Sequence, residues 1–143
     1  MIPILSIWSR ASQTECPLPE PGRPRVLVVE DDLLVGAMAA EALEEAGFAV
    51  VTAASAEEAE VILSEGAFDV LFTDIDLGGR DGCDLAHRAL KAQPGLAVVM
   101  TSGRWRRYHA DRIPPEADFL AKPYRLSHMI GTVHHAARRA SSQ

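Results

Sequence analysis

Cysteine is scarce: Cys16 beside Pro17 and Cys83 near a helix start are the two in 143 residues, and they share no CxxC spacing. A disulfide framework and a cysteine-ligated zinc site are thereby excluded, and a reducing compartment fits. No long apolar run occurs either. Ile2 to Trp8 is short, lacks a basic segment before it and leads into Ser, Gln, Thr, Glu and prolines, so neither a signal peptide nor a membrane span is expected. Basic charge is also short: the net charge is −6, which argues against a dedicated nucleic-acid binder. Seventeen of the 20 acids precede Ser102, while 8 of the 14 Lys and Arg residues lie from there to the end, Arg104, Arg106 and Arg107 forming a cluster that reads as a solvated face. Histidine at metal spacing is missing too. His134 and His135 are adjacent and project in different directions, and His87 and His109 have no acidic or cysteine partner at ligand spacing. The histidines are expected at solvated helix positions.

What is present is 48% hydrophobic residues in a length suited to one compact domain. Residues 1–24 carry Pro17, Pro19, Pro21 and Pro24 and no sustained period, and are expected to form a disordered tail. From 25 to 140 short apolar runs alternate with amphipathic stretches. Val26 to Val29, Phe48 to Val51, Val70 to Thr73, Ala97 to Thr101 and Phe119 to Ala121 read as strands. The first helix carries Val35, Met38, Ala39, Ala42, Leu43 and Ala46 at helical period until Gly47. Ser55 and Glu58 form a capping box for the second, and the third runs from about Gly82 to Ala92 before Pro94 and Gly95. A fourth, shortened or irregular, is expected around Trp105 to Asp111, ahead of Pro114 and Pro115. The last is expected from Leu126 to Arg139 with Leu126, Ile130, Val133 and Ala137 inward. No further domain is expected after Gln143.

Such alternation implies a parallel sheet covered on both faces, and right-handed crossovers make it a doubly wound α/β sandwich. Ligands then sit beyond the carboxyl ends of the strands. Those ends carry Glu30, Asp31 and Asp32 after the first strand, Asp74 and Asp76 after the third, Thr101 and Ser102 after the fourth, and Lys122 after the fifth. Neighbouring carboxylates repel unless positive charge lies between them, and an all-oxygen donor set suits a hard divalent cation, Mg²⁺ foremost. With it bound, Asp74 at the central strand's tip is placed to attack an electrophilic phosphorus while the cation and Lys122 neutralise the phosphoryl oxygens and Ser102 donates to one of them. Taken singly, Asp32 reads as a helix cap, Lys122 and Ser102 as turn residues and Asp76 as a loop acid. Their coincidence on four strand ends is what points to chemistry.

The ordered set Val26-Leu-Val-Val-Glu-Asp-Asp32, Phe68-Asp-Val-Leu-Phe-Thr-Asp-Ile-Asp-Leu77, Asp81-Gly82, Thr101-Ser102-Gly103 and Phe119-Leu-Ala-Lys-Pro-Tyr124 resembles response-regulator receiver domains of two-component signalling, over residues 25 to 140. The resemblance implies a flavodoxin-like (βα)5 fold with five parallel strands in the order 2-1-3-4-5. It makes Asp74 the phosphoacceptor and Glu30 and Asp31 the acidic pair, with Mg²⁺ held by Asp31, Asp74 and the backbone carbonyl of Asp76. Ser102 takes the hydroxyl switch position, Phe119 the aromatic switch position and Lys122 the phosphate-contacting position, before a cis bond to Pro123. The implied partner is a sensor histidine kinase or histidine phosphotransfer protein, in the cytoplasm, with a separate downstream protein, no direct nucleic acid and no membrane. The implied role is a stand-alone switch or phosphate relay that catalyses only its own phosphorylation and dephosphorylation.

Departures from the family are the glycine at 78 where many members have proline, implying a freer loop after Asp74, and the basic segment around Trp105 followed by Pro114-Pro115. Two other classes compete. Asp74-Ile75-Asp76 resembles the Asp-x-Asp of haloacid-dehalogenase-type phosphatases, with Asp74 as nucleophile and Asp76 as general acid, although a complete strand-helix-strand-helix precedes it here. Glu30 with Asp74 and Asp76 also resembles the metal site of toprim-type nucleic-acid enzymes, in which Lys122-Pro123 has no role.

Overall fold

A computed structural model describes residues 22–141. The tail expected over residues 1–24 therefore lies mostly outside the described residues. Arg23 and Pro24 already join the fold: the Arg23 guanidinium donates to Phe48 O at 3.0 Å, and Pro24 O accepts from Ala49 N at 2.9 Å.

Five parallel strands form the sheet: β1 (Arg25–Val29), β2 (Ala49–Ala53), β3 (Val70–Asp74), β6 (Ala97–Ser102) and β7 (Asp118–Ala121). Their order across it is β2-β1-β3-β6-β7, the 2-1-3-4-5 order expected once parallel strands alone are counted. Every residue of β1, β3 and β6 is buried, as central strands covered on both faces require. Side chains alternate between two cores. Leu27, Val29, Leu71, Val98 and Met100 face helices α2 (Ala56–Glu65) and α3 (Gly82–Ala92). Val26, Val28, Val70, Phe72 and Val99 face α1 (Leu33–Glu45) and α4 (Leu126–Ser141). Fully burying one such side chain is worth about 1.5–3 kcal/mol, so these alternating rows fix the sheet's register.

Local signals account for the helix starts. Asp32 caps α1, accepting from Leu34 N and Val35 N at 3.1 and 3.2 Å. Ser55 caps α2 by accepting from Glu58 N at 3.1 Å, and Glu58 reaches back to Ala54 N at 2.7 Å, one residue before the capping-box partner. Asp81 caps α3, accepting from Cys83 N at 2.8 Å.

The Gly-rich turn after Asp74 closes a short hairpin, β4 (Asp76–Leu77) with β5 (Arg80–Asp81). Gly78 and Gly79 turn it with φ of +49° and +109°, conformations a two-residue hairpin demands, and Arg80 ties it to Glu57 and Glu60 of α2 at 3.2 and 2.9 Å. Two expectations need correction. In α4 the buried residues are Met129, Val133, Ala136 and Ala137, with Ile130 partly buried against the same core as expected, but Leu126 is exposed. The buried and the expected positions both keep the helical period, so the period alone could not choose between them. The second correction is His109, which closes a 3-10 turn, Arg106–His109, standing in place of a fourth crossover helix, and is 1% exposed rather than solvated.

Candidate functional site

The three acid- and lysine-bearing strand ends meet at one edge of the sheet. Glu30 continues β1, its N–H donating to Ala53 O at 3.0 Å, and is 7% exposed. Asp74 ends the central strand beside Thr101 and is 6% exposed. Lys122 follows β7, its N–H donating to Ser102 O at 2.9 Å, and its bond to Pro123 is cis as expected. The Lys122 ammonium lies 2.8 Å from Glu30 Oε1 and 2.8 Å from Asp74 Oδ2, bridging the two buried carboxylates.

This arrangement sets the charges. Burial works against the Lys122 ammonium, but its hydrogen bonds to Asp74 and Glu30 outweigh that and push its pKa up. Glu30 is pushed up as well, by burial first; its bond from Lys122 opposes this and the nearby Asp74 charge adds to it. Two buried acids thus share one fixed cation, a net negative pair open to further positive charge.

Asp31 supplies the third acid. One carboxylate oxygen each of Glu30, Asp31 and Asp74 lies within 4.8 Å of the others. All donors are oxygens and Asp31 is exposed, so the set suits a small hard cation that keeps several waters. Asp32, beside it, is committed to the α1 cap. Gly78 approaches from the hairpin: a Cβ there would lie 3.3 Å from Asp31 Oδ2. Asp76 contributes its N–H, which donates to Asp74 Oδ1 at 3.1 Å and, with Lys122 on Oδ2, holds the carboxylate from both ends. Gly82 packs against the other side of Asp74, its N–H donating to Ile75 O at 2.7 Å.

Ser102 ends β6 at the same edge and is fully buried. Its hydroxyl lies 3.3 Å from Asp76 Oδ2 and 3.1 Å from His109 Nε2, and accepts from Arg104 N at 3.0 Å. Phe119 is half-buried and packs against the core on the α2 and α3 side. Cys83, near Asp81, stays a thiol: burial and then the Asp81 carboxylate push it up to about 11. Sequence reasoning missed His109 and Arg112. No local pattern marks them, because only the fold carries them back over Ser102 and Asp81. The hairpin, by contrast, had a signal in Gly78-Gly79 between Leu77 and Arg80.

The family profile described as response regulator receiver domain matches residues 26–134. The chain is 34% identical over 116 residues to the swarming motility regulation protein RssB of Serratia marcescens, covering 80% of this chain and 53% of RssB. It is 30% identical over 115 residues to the response regulator receiver protein CpdR of Brucella abortus, covering 76% of this chain and 92% of CpdR. The chain thus spans about half the length of RssB and nearly all of CpdR. The crystal structure of a response regulator receiver protein from Sinorhizobium medicae superposes with a TM-score of 0.79 at 25% identity, over 85% of this chain and 99% of that one.

Proposed function

The chain belongs to the response regulator receiver domain family, and on that premise we propose that Asp74 is the carboxylate that accepts the phosphoryl group. Membership makes the chain a phosphoaccepting signalling domain of a two-component system and sets aside the phosphatase and toprim-type readings of Asp74 and Asp76. The observation that carries the assignment is the Lys122 ammonium held 2.8 Å from both Asp74 Oδ2 and Glu30 Oε1 at the tip of the central strand.

The donor is a phosphohistidine of a sensor kinase or a histidine phosphotransfer protein in the cytoplasm. An Asp74 oxygen forms the new O–P bond as the P–N bond to the donor imidazole breaks, and the departing nitrogen takes up a proton. The Asp76 N–H and Lys122 orient the nucleophile before the donor arrives, and Lys122 then neutralises charge on the phosphoryl oxygens. Asp31 and Asp74, with the backbone carbonyl of Asp76 and with Glu30 beside them, are the residues that would hold Mg²⁺. When bound, that ion supplies positive charge to the transferring group and relieves the repulsion among the acids. The product, a group of about −1.5 to −2 charge by analogy with phosphoserine, draws Lys122 and the Ser102 hydroxyl toward it and biases a two-state surface that a separate protein reads. Phe119 follows that shift as the aromatic switch residue. Among the described residues no helix is long and apolar enough to cross a membrane.

Incubation with a small phosphodonor tests the assignment by intact mass. One phosphoryl group is expected on the wild type with Mg²⁺, with none after chelation and none on Asp74→Asn. An equal mass gain on Asp74→Asn would refute the choice of Asp74.

A further inference from the structure

Ser102 is held by a chain of hydrogen bonds whose direction one residue fixes. His109 Nδ1 lies 2.6 Å from Arg112 Nη2, and Arg112 Nη1 is paired with the Asp81 carboxylate. Arg112 is anchored from another side as well, since its carbonyl accepts from His87 Nε2 at 2.8 Å. A guanidinium has donors and no acceptor, so Arg112 donates and His109 Nδ1 accepts. In the neutral ring the remaining proton is then on Nε2, which donates to Ser102 Oγ at 3.1 Å. Ser102 already accepts from Arg104 N, so its one proton is left for Asp76 Oδ2 at 3.3 Å. Burial, and then the positive charge of Arg112, lower the His109 pKa below its ordinary 6.5 against the opposing charges of Asp76 and Asp81, so the ring is neutral at pH 7.

We propose that His109, oriented by Arg112, is a positioning residue for the Ser102 hydroxyl: it holds Oγ with the proton directed at Asp76, and so sets how readily that hydroxyl turns to a phosphoryl group on Asp74. The inference rests on the assignment of Asp74 as phosphoacceptor. It makes the irregular segment after β6 part of the site. The 3-10 turn and the following residues carry a buried imidazole and its guanidinium back over the strand end. A hydroxyl that accepts from two N–H donors and gives its proton to a carboxylate has every hydrogen bond satisfied. Turning it toward Asp74 requires breaking at least the bond to Asp76, and rotating Oγ away from the imidazole costs a second.

Two measurements test this. Long-range proton–nitrogen correlation spectra of histidine-labelled, unphosphorylated protein are expected to show His109 as the Nε2–H tautomer. Its Nε2 resonance is expected to move in Ser102→Ala, and its single tautomer to be lost in Arg112→Gln. An Nδ1–H tautomer in the wild type, or a His109 resonance indifferent to Ser102→Ala, overturns the proposal. The second measurement is titration with beryllofluoride, a phosphoryl mimic, in the presence of Mg²⁺. His109→Phe removes one restraining hydrogen bond and is expected to bind the mimic about threefold to tenfold tighter than the wild type. Arg112→Gln, on an exposed side chain, is expected to shift binding in the same direction and keeps the test intact if His109→Phe does not fold. In a Ser102→Ala background neither substitution is expected to change affinity, and a difference that persists there contradicts the proposal. A wild type that binds no beryllofluoride while His109 shows the Nε2–H tautomer overturns the Asp74 assignment, and with it the switch role given to His109.

Discussion

Lys122 and Ser102 stand at the ends of neighbouring strands, yet they are held by opposite means. The Lys122 corner is electrostatic: one ammonium bridges two buried carboxylates, with Asp31 exposed beside them. The Ser102 corner is a hydrogen-bond chain running Asp81, Arg112, His109, Ser102, Asp76, in which the serine itself carries no charge. The charged half is net negative, so it is poised to receive a cation and, once that is bound, an anion. The hydrogen-bonded half is complete without either, so it resists. A switch needs both properties, one corner that gains by binding and one that must be pulled out of a satisfied arrangement.

Removing Lys122 should break the charged half most severely. Lys122→Ala leaves Glu30 and Asp74 buried without their shared cation, and the expected loss in denaturant unfolding without divalent metal is about 3 kcal/mol. Mg²⁺ should restore more stability to the variant than it adds to the wild type. A loss within the roughly 0–1 kcal/mol of surface ion pairs would show that the ammonium does not stabilise these acids.

Gly82→Ala strikes where both halves meet the central strand. A Cβ at 82 would fall directly on the Asp74 carbonyl oxygen and 2.9 Å from Ile75 Cα, backbone atoms that cannot swing aside. The start of α3 must then move away from Asp74, at an expected cost of about 2 kcal/mol with weakened Mg²⁺ binding. Unchanged stability and metal affinity would mean that this contact does not position Asp74.

The two exposed acids at the end of β1 separate structure from site. Asp32→Ala removes the α1 cap and should cost about 1 kcal/mol while leaving Mg²⁺ affinity nearly unchanged. Asp31→Ala should do the reverse. Equal effects on metal binding would mean that Asp32 is a ligand as much as a cap.

The smallest effect belongs to the hydrogen-bonded half and is confined to acid. Because the folded pKa of His109 lies below 6.5, the unfolded chain takes up a proton that folded His109 refuses. The imidazole's contribution is therefore fully present above about pH 6.5 and is lost as the pH falls below it. Stability measured from pH 7.5 to 5 should decline more steeply for the wild type than for His109→Phe. Parallel curves would show that the ring titrates as freely as in the unfolded chain.

The contrast between the corners also marks what could be read from sequence. The strands are short apolar runs followed at once by polar residues, so Glu30, Asp31, Asp74, Ser102 and Lys122 were all legible at the same edge, while the strand order followed only from the family resemblance. Asp32 was legible as a cap from its place before an amphipathic run. Phase within a helix was harder: Ile130, Val133 and Ala137 of α4 face the core as read, but Leu126 is exposed and Met129 and Ala136 take buried positions. The partners of Ser102 were not legible at all. His109 is buried because the 3-10 turn and the Pro114 turn into β7, where Ala117 N donates to Pro114 O at 3.0 Å, fold the segment over β6. That placement is set by tertiary packing, which a lone histidine in a basic stretch does not announce.

Which carboxylate forms the acyl phosphate can be read directly. Borohydride reduction of phosphodonor-treated protein converts an aspartyl phosphate to homoserine, and peptide sequencing by mass spectrometry then locates it. Homoserine at position 74 alone, dependent on Mg²⁺, is the predicted result. Homoserine at position 31 or 76 in place of 74, or none at any acid in phosphodonor-treated protein, would contradict the assignment.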